Sequence, residues 1–225
     1  MRLFCILAAF AAFVIASPTE SNWFRAGADV VANPIVIPDT VRPSVTDIYV
    51  SLGKTQRHVG NVVGSDLYGH VWQGLARICP VLGGHCNKES IVIPVPYVDQ
   101  DRYLPGKLVI ILKDSRYPTN EKFHNLLIGL VAGALQRSSE DRKNCYWTTY
   151  GSQKRRVWFC NVGNTVWASI KDAFIRVEIK AEGSGGTFDC PAILRSVEDS
   201  VDDLMPELRE VFGRDPTRLV DCGLD

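Results

Sequence analysis

The apolar positions of this chain fall into short runs with different spacings, and the spacings predict the elements. Residues 47–52, DIYVSL, read as a strand. Between Ser65 and Ile78, Leu67, Val71, Leu75 and Ile78 recur at three- and four-residue steps. That pattern predicts a helix, with Ser65 or Asp66 as its cap and Pro80 as its stop. Residues 91–98 are rich in β-formers but carry Pro94 and Pro96, which assigns them to a sheet edge. Residues 107–113, KLVIILK, are apolar on both faces and predict a central strand covered on both sides. Thr119-Asn120 caps a helix running to about Gln136, with Phe123, Leu126, Leu127, Leu130, Val131, Ala134 and Leu135 as its apolar stripe. Asn125, Gly129 and Gly133 form a second, narrow face on which small residues would bring the helix close to the sheet.

Further along, residues 164–172 read as a short helix or a turn, and residues 174–182 as a half-buried strand. In that strand Ile175, Val177 and Ile179 alternate with Arg176, Glu178 and Lys180. Residues 183–186, GSGG, are a flexible loop by composition. A last helix starts around Asp189-Cys190-Pro191, and its stripe runs from Ile193 to Phe212. Pro206 must kink or split it, because proline lacks the N–H and its ring clashes with the preceding turn. Strands grouped between helices favour an α+β class, a mostly antiparallel sheet with two to three packed amphipathic helices, over a doubly wound α/β sheet.

The first residues change the compartment. Residues 3–16 form an unbroken apolar run behind Met1-Arg2, too short to span a bilayer comfortably, with small residues at its exit. We read residues 1–16 as a secretory signal peptide, residues 17–45 as a proline-rich extended arm, and residues 46–225 as a single domain. Of the seven cysteines, Cys5 leaves with the signal. An even set remains: Cys79, Cys86, Cys145, Cys160, Cys190 and Cys222. In an oxidising compartment these predict a disulfide-stapled domain, with nearest-neighbour pairs Cys79–Cys86, Cys145–Cys160 and Cys190–Cys222 and crossed pairings left open. No C-x-x-C pair and no two histidines at helical i, i+4 spacing point to a metal, and no cofactor loop is visible, so neither metal nor cofactor is expected. The formal net charge is zero, so no global field points to nucleic acid or an acidic membrane, and no second run reaches spanning length.

Residues 145–160, CYWTTYGSQKRRVWFC, enclose aromatics and three consecutive bases between two cysteines. With Cys145 opposite Cys160, Trp147 faces Trp158, Thr149 faces Arg156 and Tyr146 faces Phe159, leaving residues 151–154 as a four-residue loop. A rival register turns at Gly151-Ser152 and wastes the thiol pairing. Lys154, Arg155 and Arg156 beside Trp147 and Trp158 resemble a stacking and phosphate-contact surface. Strand pairing uses most of those aromatics, however, so a solvated basic tip is preferred and nucleic acid is not the expected partner. Lys154-Arg155 is also a dibasic pair, open to secretory processing. Residues 189–225 hold ten acids and four bases, which raises a dipolar surface of acidic helix and basic tip.

Catalytic chemistry has two candidate constellations. Gly84-His85-Cys86 and Gly183-Ser184-Gly185-Gly186 resemble the histidine and serine segments of trypsin-like proteases, with Asp101 or Asp114 between them. The serine segment departs from that pattern: it lacks the acid before the serine and the proline after the glycines. A ribonuclease-like site would use two of His58, His70, His85 and His124 with Glu121 or Arg116. An ordinary glycine-rich loop and scattered histidines explain the same residues. The expectation is therefore a secreted protein that binds a protein partner outside the cell or in a host, as effectors and toxins do. A secreted hydrolase is the alternative, and the oligomeric state is left open.

Overall fold

The computed structural model describes residues 46–223; the expected signal peptide and the proline-rich arm lie outside the described residues. In chain order the elements are β1 (Ile48–Leu52), β2 (Gln56–Gly60), α1 (Ser65–Ile78), β3 (Ser90–Asp99), β4 (Arg102–Arg116), α2 (Glu121–Glu140), β5 (Cys145–Tyr150), β6 (Arg155–Gly163), β7 (Thr165–Ile170), β8 (Ala173–Ala181), α3 (Cys190–Asp202), α4 (Met205–Phe212) and β9 (Arg218–Cys222). Six strands form one sheet in the order β3-β4-β8-β7-β1-β9, and three form a second in the order β2-β6-β5. All neighbours run antiparallel except β1 and β9, which run parallel. The class is α+β, with four helices on a mixed sheet.

Helix α2 is the hub. It packs on β1, β7 and β8 of the large sheet and on β6 of the small one, with α1 and α3 against its flanks. Residues 126–135 are therefore buried all round, as expected of a helix that is apolar on every side. The sheet face turned to it is built from Ile48, Val50, Val166, Ala168, Ile175, Val177, Leu108 and Ile110, all in one continuous core. Asn120 caps the helix by accepting from the Phe123 N–H at 3.2 Å. Its end comes later than the apolar stripe indicated, at Glu140, because Ser138 Oγ donates back to Ala134 O at 2.6 Å and the last turn continues with polar residues.

Several expectations need correction. Strand β4 is not covered on both sides; it lies next to the edge, with Leu108, Ile110 and Leu112 buried and Val109 and Ile111 only half-buried. Residues 165–170 are neither helix nor turn but a strand interior to the sheet. All six are buried on both faces, so the alternation that reveals a strand is missing. Gly129 and Gly133 face helices rather than the sheet: a Cβ on Gly129 would lie 3.3 Å from Trp72 and Leu204, and one on Gly133 would lie 3.2 Å from Ser200. Helix α1 starts after Gly64, not on a side-chain cap; Ser65 is already its first residue, and the Gly64 N–H donates to Ser139 Oγ at 2.9 Å. Strands β2 and β9 carried no signal of their own.

The proline-bearing strand β3 does lie at the sheet edge. Pro206 splits the last helix, which breaks at Asp203-Leu204 and restarts as α4 with the proline in its first turn. All three nearest-neighbour disulfides form, Cys79–Cys86, Cys145–Cys160 and Cys190–Cys222. The first closes the loop after α1, the second clamps β5 to β6, and the third ties the start of α3 to the end of β9. No helix among the described residues is long and apolar enough to cross a membrane.

Candidate functional site

The β5–β6 hairpin takes the register that pairs Cys145 with Cys160, Trp147 with Trp158, Thr149 with Arg156 and Tyr150 with Arg155. Like groups therefore meet across the ladder, and each aromatic or β-branched pair adds roughly 0.2–1 kcal/mol. The two faces of the hairpin differ. On one, Cys160 and Val162 join the core beneath α2, while beyond them Trp158 is half-buried and Trp147 stays 56% exposed. The two indoles sit 5.0 Å apart, and the Arg156 guanidinium lies 4.9 Å above the Trp147 ring. Cation and ring face solvent together, held by a strand pair with a covalent clamp at its base.

The hairpin tip is fastened to a second one. The Gly151 N–H donates to Asp101 O at 2.7 Å, and Lys154 pairs with the Asp101 carboxylate at 2.9 Å. Tyr150 packs on Tyr103 at 4.9 Å. Of the three bases at the tip, Lys154 is thus matched within the fold, Arg155 donates to Gln153 Oε1, and Arg156 is left over Trp147. Three acids of the last helices are matched too: Asp202 by Arg218, Asp203 by Arg137 and Glu210 by Lys122.

The opposite face of the hairpin meets β2 through Tyr146 and His58. His58 is 2% exposed; its Nε2–H donates to Pro96 O at 3.0 Å and its Nδ1 accepts from the Tyr146 hydroxyl at 3.2 Å. Burial holds the imidazole below its ordinary value, partly offset by the Pro96 carbonyl, and burial raises the Tyr146 phenol. Residues 183–187 close over this pair. Asn161 Nδ2 donates to Gly185 O at 2.9 Å and to Thr187 O at 3.1 Å. Gly186 has φ 64°, and a Cβ there would lie 2.3 Å from the Tyr146 ring, so only glycine fits. Beside His58 lies a cleft of about 470 Å³, lined by Thr55, Gln56, Arg57 and His58 on one side and Lys180, Ala181, Gly183 and Ser184 on the other.

The residues of the two catalytic constellations lie as follows. His85 is exposed, and its loop rests on the end of β4 through Cys86 N–H to Ser115 Oγ at 2.8 Å and Tyr117 N–H to Gly84 O at 2.8 Å. Asp114 sits at the irregularity of β4, accepting from the Ser115 N–H. Ser184 is at the other end of β8, exposed on the cleft rim. Asp114 pairs with Arg176 and Leu108 with Ala181. At a strand rise of ~3.3 Å per residue, Asp114 and Ser184 are therefore separated by more than ~15 Å. His124 is buried against the first disulfide, with Nε2–H donating to Cys79 O, Nδ1 in contact with the Asn125 amide at 3.0 Å, and the Tyr117 ring beside it. Glu121, one turn earlier on α2, faces solvent, and His70 is exposed on α1. Among these candidates, His58 and Ser184 border one cleft.

Arg57 and Lys180 line the cleft, and Tyr146 and Asn161 hold His58 and the glycine loop beside it, without having been singled out for it. Their shared location depends on β2 pairing with β6 and on the glycine loop folding back, and neither leaves a local pattern. Among the described residues no three His, Cys, Asp or Glu side chains gather as metal ligands. Comparison with family models, curated protein sequences and solved structures finds no match to this chain.

Proposed function

We propose that this is an exported, disulfide-stapled binding protein that engages a protein partner outside the cell or in a host. The contact surface in this reading is the outer face of the β5–β6 hairpin. Three disulfides support an oxidising destination, since such bonds persist there and are rare in the cytosol. The observation that carries the reading is Trp147, 56% exposed under the Arg156 guanidinium and beside Trp158. Tryptophan and arginine are the residue types that dominate binding energy at protein interfaces. A disulfide-clamped hairpin presents them with little entropy left to lose. The charge left unmatched at the tip is positive, so the partner surface is expected to be acidic around a pocket for the indole.

Capture from extracellular fluid and candidate host tissue tests this, with the purified protein as bait and Trp147→Ala and Arg156→Ala as controls. A partner retained by the wild type, lost from both variants and released by salt supports the reading. Capture indifferent to both substitutions removes the hairpin from it. Ribonuclease and peptidase assays run alongside address the hydrolase alternative. Turnover abolished by His85→Ala or His124→Ala, in a variant that keeps its fold, would replace binding with catalysis.

A further inference from the structure

We propose that the cleft between β2 and the end of β8 is a subsite for a tetrahedral oxyanion, a phosphate or sulfate ester, with Arg57 and Lys180 as its cations. This goes beyond the hairpin reading and rests on different residues. Arg57 is half-buried, and its guanidinium is pinned by two main-chain carbonyls: Nε–H donates to Ile179 O at 3.0 Å and Nη1–H to Gln56 O at 2.8 Å. Those bonds fix the orientation of the group and satisfy part of its donor set, but they supply no negative charge. No carboxylate among the described residues comes within ion-pair distance of it. A cation taken partly out of water with its nearest carboxylate beyond ion-pair distance is costly, and a bound anion lowers that cost.

Each acid nearby has another lysine as its closer partner. Glu178 takes Lys113 at 3.1 Å, and Glu182 takes Lys107 at 3.7 Å. Hydrogen bonding from Lys113 chiefly holds the Glu178 carboxyl below its usual range; the fields of Lys180 and Arg57 reach it as lesser contributions. Lys180 approaches Glu178 only at 3.8 Å, too long for a hydrogen bond, and stays mostly exposed. The cleft lining holds two cations and no carboxylate, with hydroxyls from Thr55 and Ser184 as further donors beside the Gln56 amide, which also reaches Gly185 O at 3.5 Å. At about 470 Å³ it has room for the body of a small ligand beside its anionic group. Arginine's planar fork suits two oxygens of such a group, and lysine serves as the point charge next to it.

The test is a titration of the purified protein with inorganic phosphate and with inorganic sulfate, against sodium chloride at matched ionic strength, followed by amide NMR. Saturable shifts at Gln56, Arg57 and Ser184, absent with chloride, are expected. Lys180→Gln, at an exposed position that does not touch the fold's hydrogen bonds, should weaken binding roughly three- to tenfold. Arg57→Gln should abolish it, and Lys180→Gln keeps the test decisive if the Arg57 variant loses its fold. A nucleoside monophosphate and a sulfated monosaccharide, titrated separately, tell the two ester sources apart. Shifts that follow ionic strength alone, or that are indifferent to Lys180→Gln, overturn the proposal and leave Arg57 as a brace between β2 and β8. Such a result leaves the hairpin reading to its own capture assay.

Discussion

Asp47 shows how much one half-buried residue at the start of a strand can organise. Its carboxylate accepts from Arg214 at 2.8 Å, from the Thr217 N–H at 2.9 Å and from the Thr217 hydroxyl at 3.0 Å, joining the start of β1 to the approach of β9. The Arg214 hydrogen bond above all lowers its pKa from 3.8 to about 2, against a smaller opposing effect of burial. A depressed carboxyl contributes stability that is complete above the unfolded value and is lost as pH falls through the folded one. Asp47 should therefore make the protein lose stability between about pH 4 and pH 2, and Asp47→Asn should flatten urea-unfolding midpoints across that window. His58 acts at a different pH with the same sign. Its pKa lies below 6.5 in the fold, so its contribution is complete above 6.5 and is lost as pH falls from there toward the lowered value. His58→Phe should remove that dependence, and by stranding Pro96 O and the Tyr146 hydroxyl it should cost about 1–3 kcal/mol at neutral pH. Urea unfolding of the wild type and of this variant at a series of pH values reads both effects.

At the scale of elements, the β5–β6 hairpin was the most legible part of the chain. Its register follows from thiol and aromatic pairing within sixteen contiguous residues, so no distant contact was needed to find it. Removing the clamp with Cys145→Ser and Cys160→Ser together should cost about 3 kcal/mol, the loop-closure value for a span of this length, measured by denaturant unfolding. The glycine loop behaves oppositely, for its course is dictated by Tyr146 and Asn161 more than by its own composition. Gly186→Ala should cost about 1–3 kcal/mol from the positive φ and push the loop off the Tyr146 ring, visible as loss of the Asn161 side-chain amide protection in hydrogen exchange. Strand β7 explains the largest misreading. Thr165, Trp167 and Ser169 are buried on one face and Val166, Ala168 and Ile170 on the other, so polar and apolar residues alike go inside and the period of two disappears.

The described residues are held together by α2, which touches both sheets and the helices on either side. Leu127, fully buried in its middle, has no freedom to relax toward solvent. Leu127→Ala should cost about 2–5 kcal/mol, and because both sheets depend on the same helix the unfolding curves followed by tryptophan fluorescence and by far-UV circular dichroism should shift together. Separate shifts would mean that the small sheet folds independently. The third disulfide supports this unity from the outside. Cys190–Cys222 fastens β9, the parallel edge strand, to the helix that packs on α2.

What the sequence determined alone is whatever neighbours along the chain can decide. Amphipathic period set α1, α2 and the last helical segment, Pro206 set the break in that last segment, and short loops favoured the Cys79–Cys86 and Cys145–Cys160 disulfides. The tertiary structure decided the rest. Whether β4 is covered on one face or two, whether residues 165–170 extend or coil, and whether Arg57 meets Lys180 across a cleft all depend on partners far away in the chain. Burial there is conferred by other elements, so it leaves no periodic trace in the strand that receives it.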